Sequence, residues 1–405
     1  MALAREHKFV IGCLSGVGGD HGASEPPSPE WPTVLEFAQR NGVAPALFAA
    51  LRERGGLERV PPTSRLELSR LYHRTGILNA LMFDELERLS RSFQTAGIPL
   101  IALKGSAIIA EWAHDLAIRP MEDLDLLVLE RDLKTVVGIL SADGYVPDES
   151  RYSLDWYYRH HHHIAPLYHP GKRITVEVHR NIIYPRSPFR IDAQKLWERS
   201  RPVRLGTGEI RVLSTEDMLL HLCLHLSYAH CFHNPLKTMF DIRRIVVRSG
   251  DRIDWGWMVR EAEKRGCADY VFPVLRLAKE VLGAEIPIAD LTGKRRGPRP
   301  GLASRLAYDE LVRRYAFPSD ESDSVFPRWV LDVLFRELPR PGPFREKAGS
   351  ILNQVLSLPD PDERGTDREQ DPPRERSGWV SVLRWIGKAV ARLADRRSRP
   401  VWNPR

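Results

Sequence analysis

Cysteine is scarce. Cys13, Cys223, Cys231 and Cys267 are spread over 405 residues with no CxxC pair. A disulfide framework and zinc-ribbon spacing are therefore excluded, and a reducing compartment, read here as the cytoplasm, is expected. Long apolar runs are missing as well. None approaches the roughly 18 residues that cross a bilayer, which excludes a polytopic membrane protein. The stretch Phe9 to Leu14 is too short for the apolar region of a signal peptide, and no small-residue cleavage site follows it. No internal repeat is evident. Charge of one sign is absent from most of the chain. The formal charge is +7, yet residues 364–405 alone hold eleven basic and five acidic side chains. The body is thus close to neutral, which argues against a nucleic-acid partner.

What is present is an ordinary globular composition. Hydrophobic residues make up 42% and charged residues 28%, enough apolar content to bury a core, and the length suits two or three domains. Residues 1–30 carry Gly16, Gly18, Gly19, Gly22 and Pro26-Pro27-Ser28-Pro29, and read as a flexible N-terminus. Residues 31–96 read as a helical cap, with Leu78, Met82, Leu86, Leu89 and Phe93 at helical spacing and Gly97 as the stop. Over 97–213 short strands alternate with helices. Strands are expected at Pro99–Leu103 and Asp123–Leu129, and helices at 107–114 and 131–142. A hairpin of 160–169 and 173–180 turns at Pro170-Gly171. This predicts an α+β fold with a small α/β core and too little room for a large sheet. Residues 214–358 read as a helical domain, opened by the capping signal Ser214-Thr215-Glu216-Asp217. Its later helices are expected near 236–249, 254–265, 268–283, 303–316 and 326–337. A charged, Pro-rich linker over 359–377 is expected to be disordered. An amphipathic basic helix over 378–396 and a tail over 397–405 follow.

Chemistry concentrates in the middle of the chain. Asp123 and Asp125 are two apart in a strand pattern, so both carboxylates point one way. Two acids this close repel unless a cation lies between them, and Mg²⁺ takes hard oxygen ligands of this kind. Ile174 to His179 alternates strictly and places Thr175, Glu177 and His179 on one face. Glu177 can then be a third carboxylate facing the pair from a neighbouring strand. Gly105-Ser106 lies at a strand-to-helix junction, where free backbone N–H groups favour phosphate.

These residues resemble the DNA polymerase β-type nucleotidyltransferase superfamily. They are most similar to an uncharacterised bacterial group, nucleotidyltransferase family 5. The matching positions are Lys104-Gly105, Arg119-Pro120-Met121, Asp123 and Asp125, Gly144-Tyr145, Glu177 and His179, Leu213-Ser214, His221-Leu222, His225 and Asp241. The resemblance covers about 30–290. It implies a small mixed-sheet nucleotidyltransferase core and transfer of NMP from an NTP to a hydroxyl of a small molecule or protein, with release of pyrophosphate. It implies two Mg²⁺ ions on Asp123, Asp125 and Glu177, and nucleotide binding by Lys104, Gly105, Ser106 and Arg119. His179, His225 and Asp241 would shape an acceptor pocket. The alternative from another class is a non-catalytic nucleotide-binding protein on the same fold, although all three acids are present. A metal-dependent hydrolase built on the His/Cys cluster at 221–233 is a third reading.

Three features fit these readings less tightly. His160 to His163, read as a strand, would put two histidines on each side. The exposed-strand reading is favoured over a site role or a transition-metal site. Asp241 suits a helix salt bridge to Lys237, Arg243 or Arg244 as well as an acceptor contact. The helix from Trp379 to Leu393 suits docking, a partner, or an anionic membrane surface.

Overall fold

Proline and glycine punctuate the first third of the chain. In this computed structural model, which describes residues 5–16, 29–113, 115–150, 152–287, 328–340, 343 and 346–351, helices α1 (Arg5–Ser15), α2 (Trp31–Arg40), α3 (Ala44–Glu53) and α4 (Pro62–Thr95) come first. Proline opens α2, α3 and α4 within their first two positions, where its missing N–H costs nothing. Residues 5–15, assigned above to a flexible terminus, are instead helical, because Val10, Ile11 and Leu14 form a buried apolar face. The long α4 ends at Gly97, whose φ of +72° suits glycine. The Gly97 N–H donates to Gln94 O at 2.9 Å and the Ile98 N–H to Phe93 O at 2.8 Å, closing the helix with a Schellman turn.

The phase of α4 differs from the sequence reading. Its buried positions include Leu68, Tyr72, Thr75, Asn79, Met82, Leu86, Leu89 and Phe93. Leu78 is 43% exposed, whereas Asn79 is 1% exposed. The polar Thr75 and Asn79 hold the face that periodicity of apolar residues alone would have given to Leu78.

The remaining elements of this unit, in chain order, are β1 (Ile101–Ala102), α5 (Lys104–Ile108), β2 (Leu124–Leu127), α6 (Leu133–Ala142), β3 (Val146–Pro147), α7 (Leu154–His160), β4 (Leu167–His169), β5 (Ile174–His179), α8 (Ala193–Arg199), β6 (Arg201–Leu205), β7 (Gly208–Val212), α9 (Thr215–Leu224), α10 (Pro235–Ser249), α11 (Trp255–Lys264) and α12 (Ala268–Leu282). The fold is α+β. Among the described residues its mixed sheet runs β3-β4-β5-β2-β1-β7-β6. The pairs β2–β5 and β1–β7 are parallel and the rest are antiparallel. The sheet has seven strands, wider than the small sheet expected, because the hairpin β6–β7 extends it beyond β1. Central β2 is buried at all four positions, as a strand covered on both faces must be. Helices α10, α11 and α12 agree with the expected helical stretches.

The chain divides into two compact units. The sheet and its helices lie in Ala2–Ala229 with Asn234–Arg295, and the other unit comprises Met1, His230–His233 and Arg296–Arg405. In the latter, α13 (Arg328–Glu337) agrees with the expected helix near 326–337. Phe335 is buried and its ring centre lies 5.1 Å from that of Phe232. The expected helix at 303–316, the linker 359–377, the basic helix 378–396 and the tail fall outside the described residues. Among the described residues no helix is long and apolar enough to cross a membrane.

Candidate active site

The site is built on the parallel pair β2–β5. Its register sets Asp125 opposite Glu177 and Leu127 opposite His179. Alternation along β5 buries Ile174, Val176 and Val178 on one side and turns Thr175, Glu177 and His179 to the other. Asp125, Glu177 and His179 thereby share one face, each offering a ligand atom within 4.8 Å of the others. Asp123 lies just ahead of β2 and is half-buried. The register brings Asp125 and Glu177 together, and Asp123 lies outside the paired residues.

Charge at this face is tightly organised. Lys104 Nζ donates to Asp125 Oδ1 at 2.7 Å. The Nε2 of the fully buried His179 lies 2.8 Å from the same oxygen and 3.5 Å from Glu177 Oε2. Burial pulls the Lys104 and His179 pKa values down, but the surrounding carboxylates outweigh it and hold both above their ordinary values. Burial likewise raises the Asp125 carboxyl, and the two cations overcome this and keep it well below the usual range. Asp123 has no such compensation. Burial first, then repulsion from Asp125, pushes its carboxyl up to about 7 despite Lys104. Three carboxylates thus crowd Lys104 and His179, and Asp123 is the one whose charged form is disfavoured.

That crowding bears on the divalent cation implied by the family resemblance. The donors are carboxylate oxygens, which suit a hard cation. A cation there would relieve the repulsion that drives Asp123 toward its neutral form, and the Lys104 ammonium already holds Asp125 Oδ1 as a cation would. Asp125 and Glu177, with His179, offer donor atoms close enough together for such an ion.

A second cluster holds the segment that leads into Asp123. The Asn79 side chain, buried in α4, donates through Nδ2 to Leu116 O at 2.6 Å and Arg119 O at 2.7 Å. Its Oδ1 accepts the Met121 N–H at 3.3 Å. Arg119 Nε lies 2.9 Å from both carboxylate oxygens of Asp241 on α10. Ser106 is 1% exposed, and its Oγ donates to Leu103 O at 3.1 Å. Arg119 and Ser106, expected on the nucleotide, are therefore engaged within the protein. Asp241 pairs with Arg119, not with the helix neighbours considered above.

Gly105 sits against this cluster. A Cβ there would lie 2.5 Å from Arg119 Nη1 and 2.8 Å from Met121 Cγ. Arg119 is pinned by Asp241 and cannot swing aside freely. Alanine normally gains about 0.5–1 kcal/mol over glycine in a helix, but overpacking costs about 1–3 kcal/mol. Gly105→Ala should therefore lower the unfolding free energy by a net ~1–2 kcal/mol, read as a lower urea midpoint at an unchanged m value. A midpoint equal to that of the wild type would show that Arg119 yields.

The histidine run departs from the sequence reading. Ser153 caps α7 by accepting the Trp156 N–H at 3.2 Å, and the helix extends through His160. The strand expected from His160 reduces to β4, with His163 in an isolated bridge to His179. His162 and His163 are 4% and 8% exposed, so the exposed-strand reading is overturned. The Ile164 N–H donates to Val178 O at 3.0 Å and the Arg180 N–H to His162 O at 2.9 Å, which holds this segment beside β5. His163 Nε2 lies 3.6 Å from Glu177 Oε2. His221, on α9, is fully buried, and neither of its ring nitrogens has a hydrogen-bond partner among the described residues. Burial and the nearby Lys104 and His179 charges drive its pKa down to about 3. His225, one turn on, is half-buried with its ring centre 6.0 Å from that of His221. Asn79 and the buried histidines are the site-forming residues that sequence reasoning undervalued.

Residues 27–283 match the model of an uncharacterised nucleotidyltransferase family. The match spans more than half the chain, and the chain belongs to that family. A nucleotidyltransferase role in general, with a nucleoside triphosphate as substrate, follows from membership. No curated protein matches the chain.

Proposed function

We propose that this chain is a Mg²⁺-dependent nucleotidyltransferase that moves NMP from an NTP to a hydroxyl of a small molecule or a protein in the cytoplasm. The observation that carries the reading is the register that sets Asp125 opposite Glu177, with Asp123 just ahead of β2. These three residues would hold the metal, which when bound neutralises phosphate charge and acidifies the acceptor hydroxyl. Lys104 is the cation we assign to the phosphates. Its left-handed backbone, φ +44°, aims a long side chain from the strand-to-helix turn at Asp125, and the ammonium can pass from that carboxylate to an incoming anion. Gly105 lets the backbone lie close to Arg119. Arg119, Ser106 and Asp241 hold the turn and the segment leading to Asp123. His179 fixes the Asp125 carboxylate in place. In the reaction the acceptor oxygen bonds to the α-phosphorus, the α–β bridging oxygen leaves with pyrophosphate, and the acceptor proton passes to Glu177. The near-neutral body favours a small-molecule or protein acceptor over nucleic acid.

The test is incubation of purified protein and Mg²⁺ with each α-labelled NTP, with and without cell extract. Label should move to an acceptor with one pyrophosphate per transfer. Tight NTP binding with no transfer of any label would replace this reading with a nucleotide-binding protein.

Asp123 also sets a pH test. Its folded-state value of about 7 exceeds the ordinary 3.8, so the folded chain holds a proton that the unfolded chain has lost. Its contribution to stability is full below about pH 4 and is lost as pH rises through about 7. Mg²⁺ should offset that loss. It should raise the melting temperature of the wild type at about pH 8, little at about pH 5.5, and little in Asp123→Asn at either pH. Equal Mg²⁺ shifts in wild type and variant would remove Asp123 from the ligand set.

A further inference from the structure

Beside the carboxylates lies a set of nitrogen donors that the transfer chemistry does not use. His161, His162 and His163 each offer a ring nitrogen within 4.8 Å of the other two. Their ring centres are 3.8 Å apart for His161 and His163, 4.5 Å for His161 and His162, and 5.0 Å for His162 and His163. Such crowding has a desolvation cost. The Nδ1 atoms of His161 and His162 are buried with no hydrogen-bond partner among the described residues. Buried polar atoms are rarely left this way unless a water or an ion satisfies them.

The third ring supplies the orientation. His163 Nδ1 lies 2.6 Å from Ile164 O. A carbonyl oxygen only accepts, so Nδ1 carries the proton and the neutral ring keeps its lone pair on Nε2. That lone pair faces Glu177 Oε2 at 3.6 Å, leaving two acceptors opposite each other. A backbone carbonyl that fixes one ring nitrogen while the other points at a shared space is how metal-binding imidazoles are held.

We propose that His161, His162 and His163 form a site for one divalent transition-metal ion of the zinc type, placed against the carboxylate cluster through Glu177. Imidazole donors select zinc, cobalt or nickel over Mg²⁺, whose preference is for oxygen. Tetrahedral ligands at 2.0–2.1 Å lie about 3.4 Å apart. The donor atoms lie within 4.8 Å of one another, so binding would turn His161 and His162 toward the held His163, with Glu177 or a water as the fourth ligand. The three nitrogen donors are not among the three carboxylates, the two sites meet only at Glu177, and nitrogen binding does not require that nucleotidyl transfer occur.

The experiment uses the full chain expressed without a polyhistidine tag, stripped of metal and titrated with Co²⁺ and Zn²⁺. One equivalent of Co²⁺ should bind with the visible absorption of a tetrahedral nitrogen site and without a thiolate charge-transfer band. Zn²⁺ should displace it. His161→Asn and His163→Gln should each weaken binding by about 100-fold, whereas Asp123→Asn should leave it unchanged. The X-ray absorption of the zinc-loaded wild type should show imidazole nitrogens at about 2.0–2.1 Å, a readout that needs no variant to fold. Absence of binding in the wild type at micromolar metal overturns the proposal. So does binding that survives both histidine variants, binding lost in Asp123→Asn, or a shell of oxygen or sulfur alone.

Discussion

Asp123→Asn should lose nucleotidyl transfer by about 10²–10³-fold while unfolding no more easily than the wild type at pH 8. The two expectations have one cause. Burial and the Asp125 carboxylate make the charged form of Asp123 unfavourable. Asparagine keeps the shape and removes the charge, so the metal-free fold is relieved. The same removal leaves a neutral amide oxygen where a hard cation would find an anionic one. Asp125→Asn makes the informative contrast. Asp125 is 3% exposed and accepts hydrogen bonds from both Lys104 and His179. Losing its charge strands the Lys104 ammonium, and removal of one partner from a buried pair costs about 3–5 kcal/mol. Glu177 and deprotonation of His179 soften this toward the lower end. Both variants should therefore be inactive, and only Asp125→Asn should be markedly destabilised. Transfer at the wild-type rate by a folded Asp123→Asn protein would sink the proposed activity.

The acidic site was legible because it obeys a period of two. Residues 174–179 alternate without a break, so the face of Glu177 and His179 could be read directly, and β2 follows from the apolar residues around Asp125. What period cannot show is which polar residue a neighbouring element will cover. Asn79 looks like a solvent-facing helix residue until the segment 116–121 is laid over it and its amide satisfies three backbone groups. The same holds for the histidines. A run of four identical residues has no alternation to read, so the expected hairpin with 173–180 gave the partner strand but not that His162 and His163 would be buried against it. Other signals were present and went unread. Ser153 ahead of Leu154-Asp155-Trp156 is a helix cap. Val203, Leu205, Ile210 and Val212 alternate on either side of Gly206-Thr207, a two-residue hairpin turn, and they become β6–β7.

The second large effect concerns stability, and it falls on a pair that touches no substrate in the proposed reaction. Arg119 is 8% exposed and Asp241 1%. Burial alone would strongly favour the neutral acid, and the Asp241 carboxyl is indeed raised, although Arg119 opposes the shift. Asp241→Leu leaves a guanidinium with no counter-charge in a buried position, which should cost about 3–5 kcal/mol. Arg119→Met should cost a similar amount by stranding the carboxylate. The combination Arg119→Met with Asp241→Leu replaces both charges with apolar volume and should cost far less than the two single changes added together. Urea melts of the four proteins read this directly, and additive losses would mean that the two charges do not stabilise one another. The cycle also separates holding from chemistry. Arg119 lies between the Asn79 anchor and Asp123, so a single variant should loosen the approach of Asp123 and reduce transfer. The apolar pair restores packing at that point without restoring charge. Transfer that returns in the double variant places Arg119 and Asp241 in positioning Asp123, whereas transfer that stays lost would give the Arg119 charge a direct role at the phosphates.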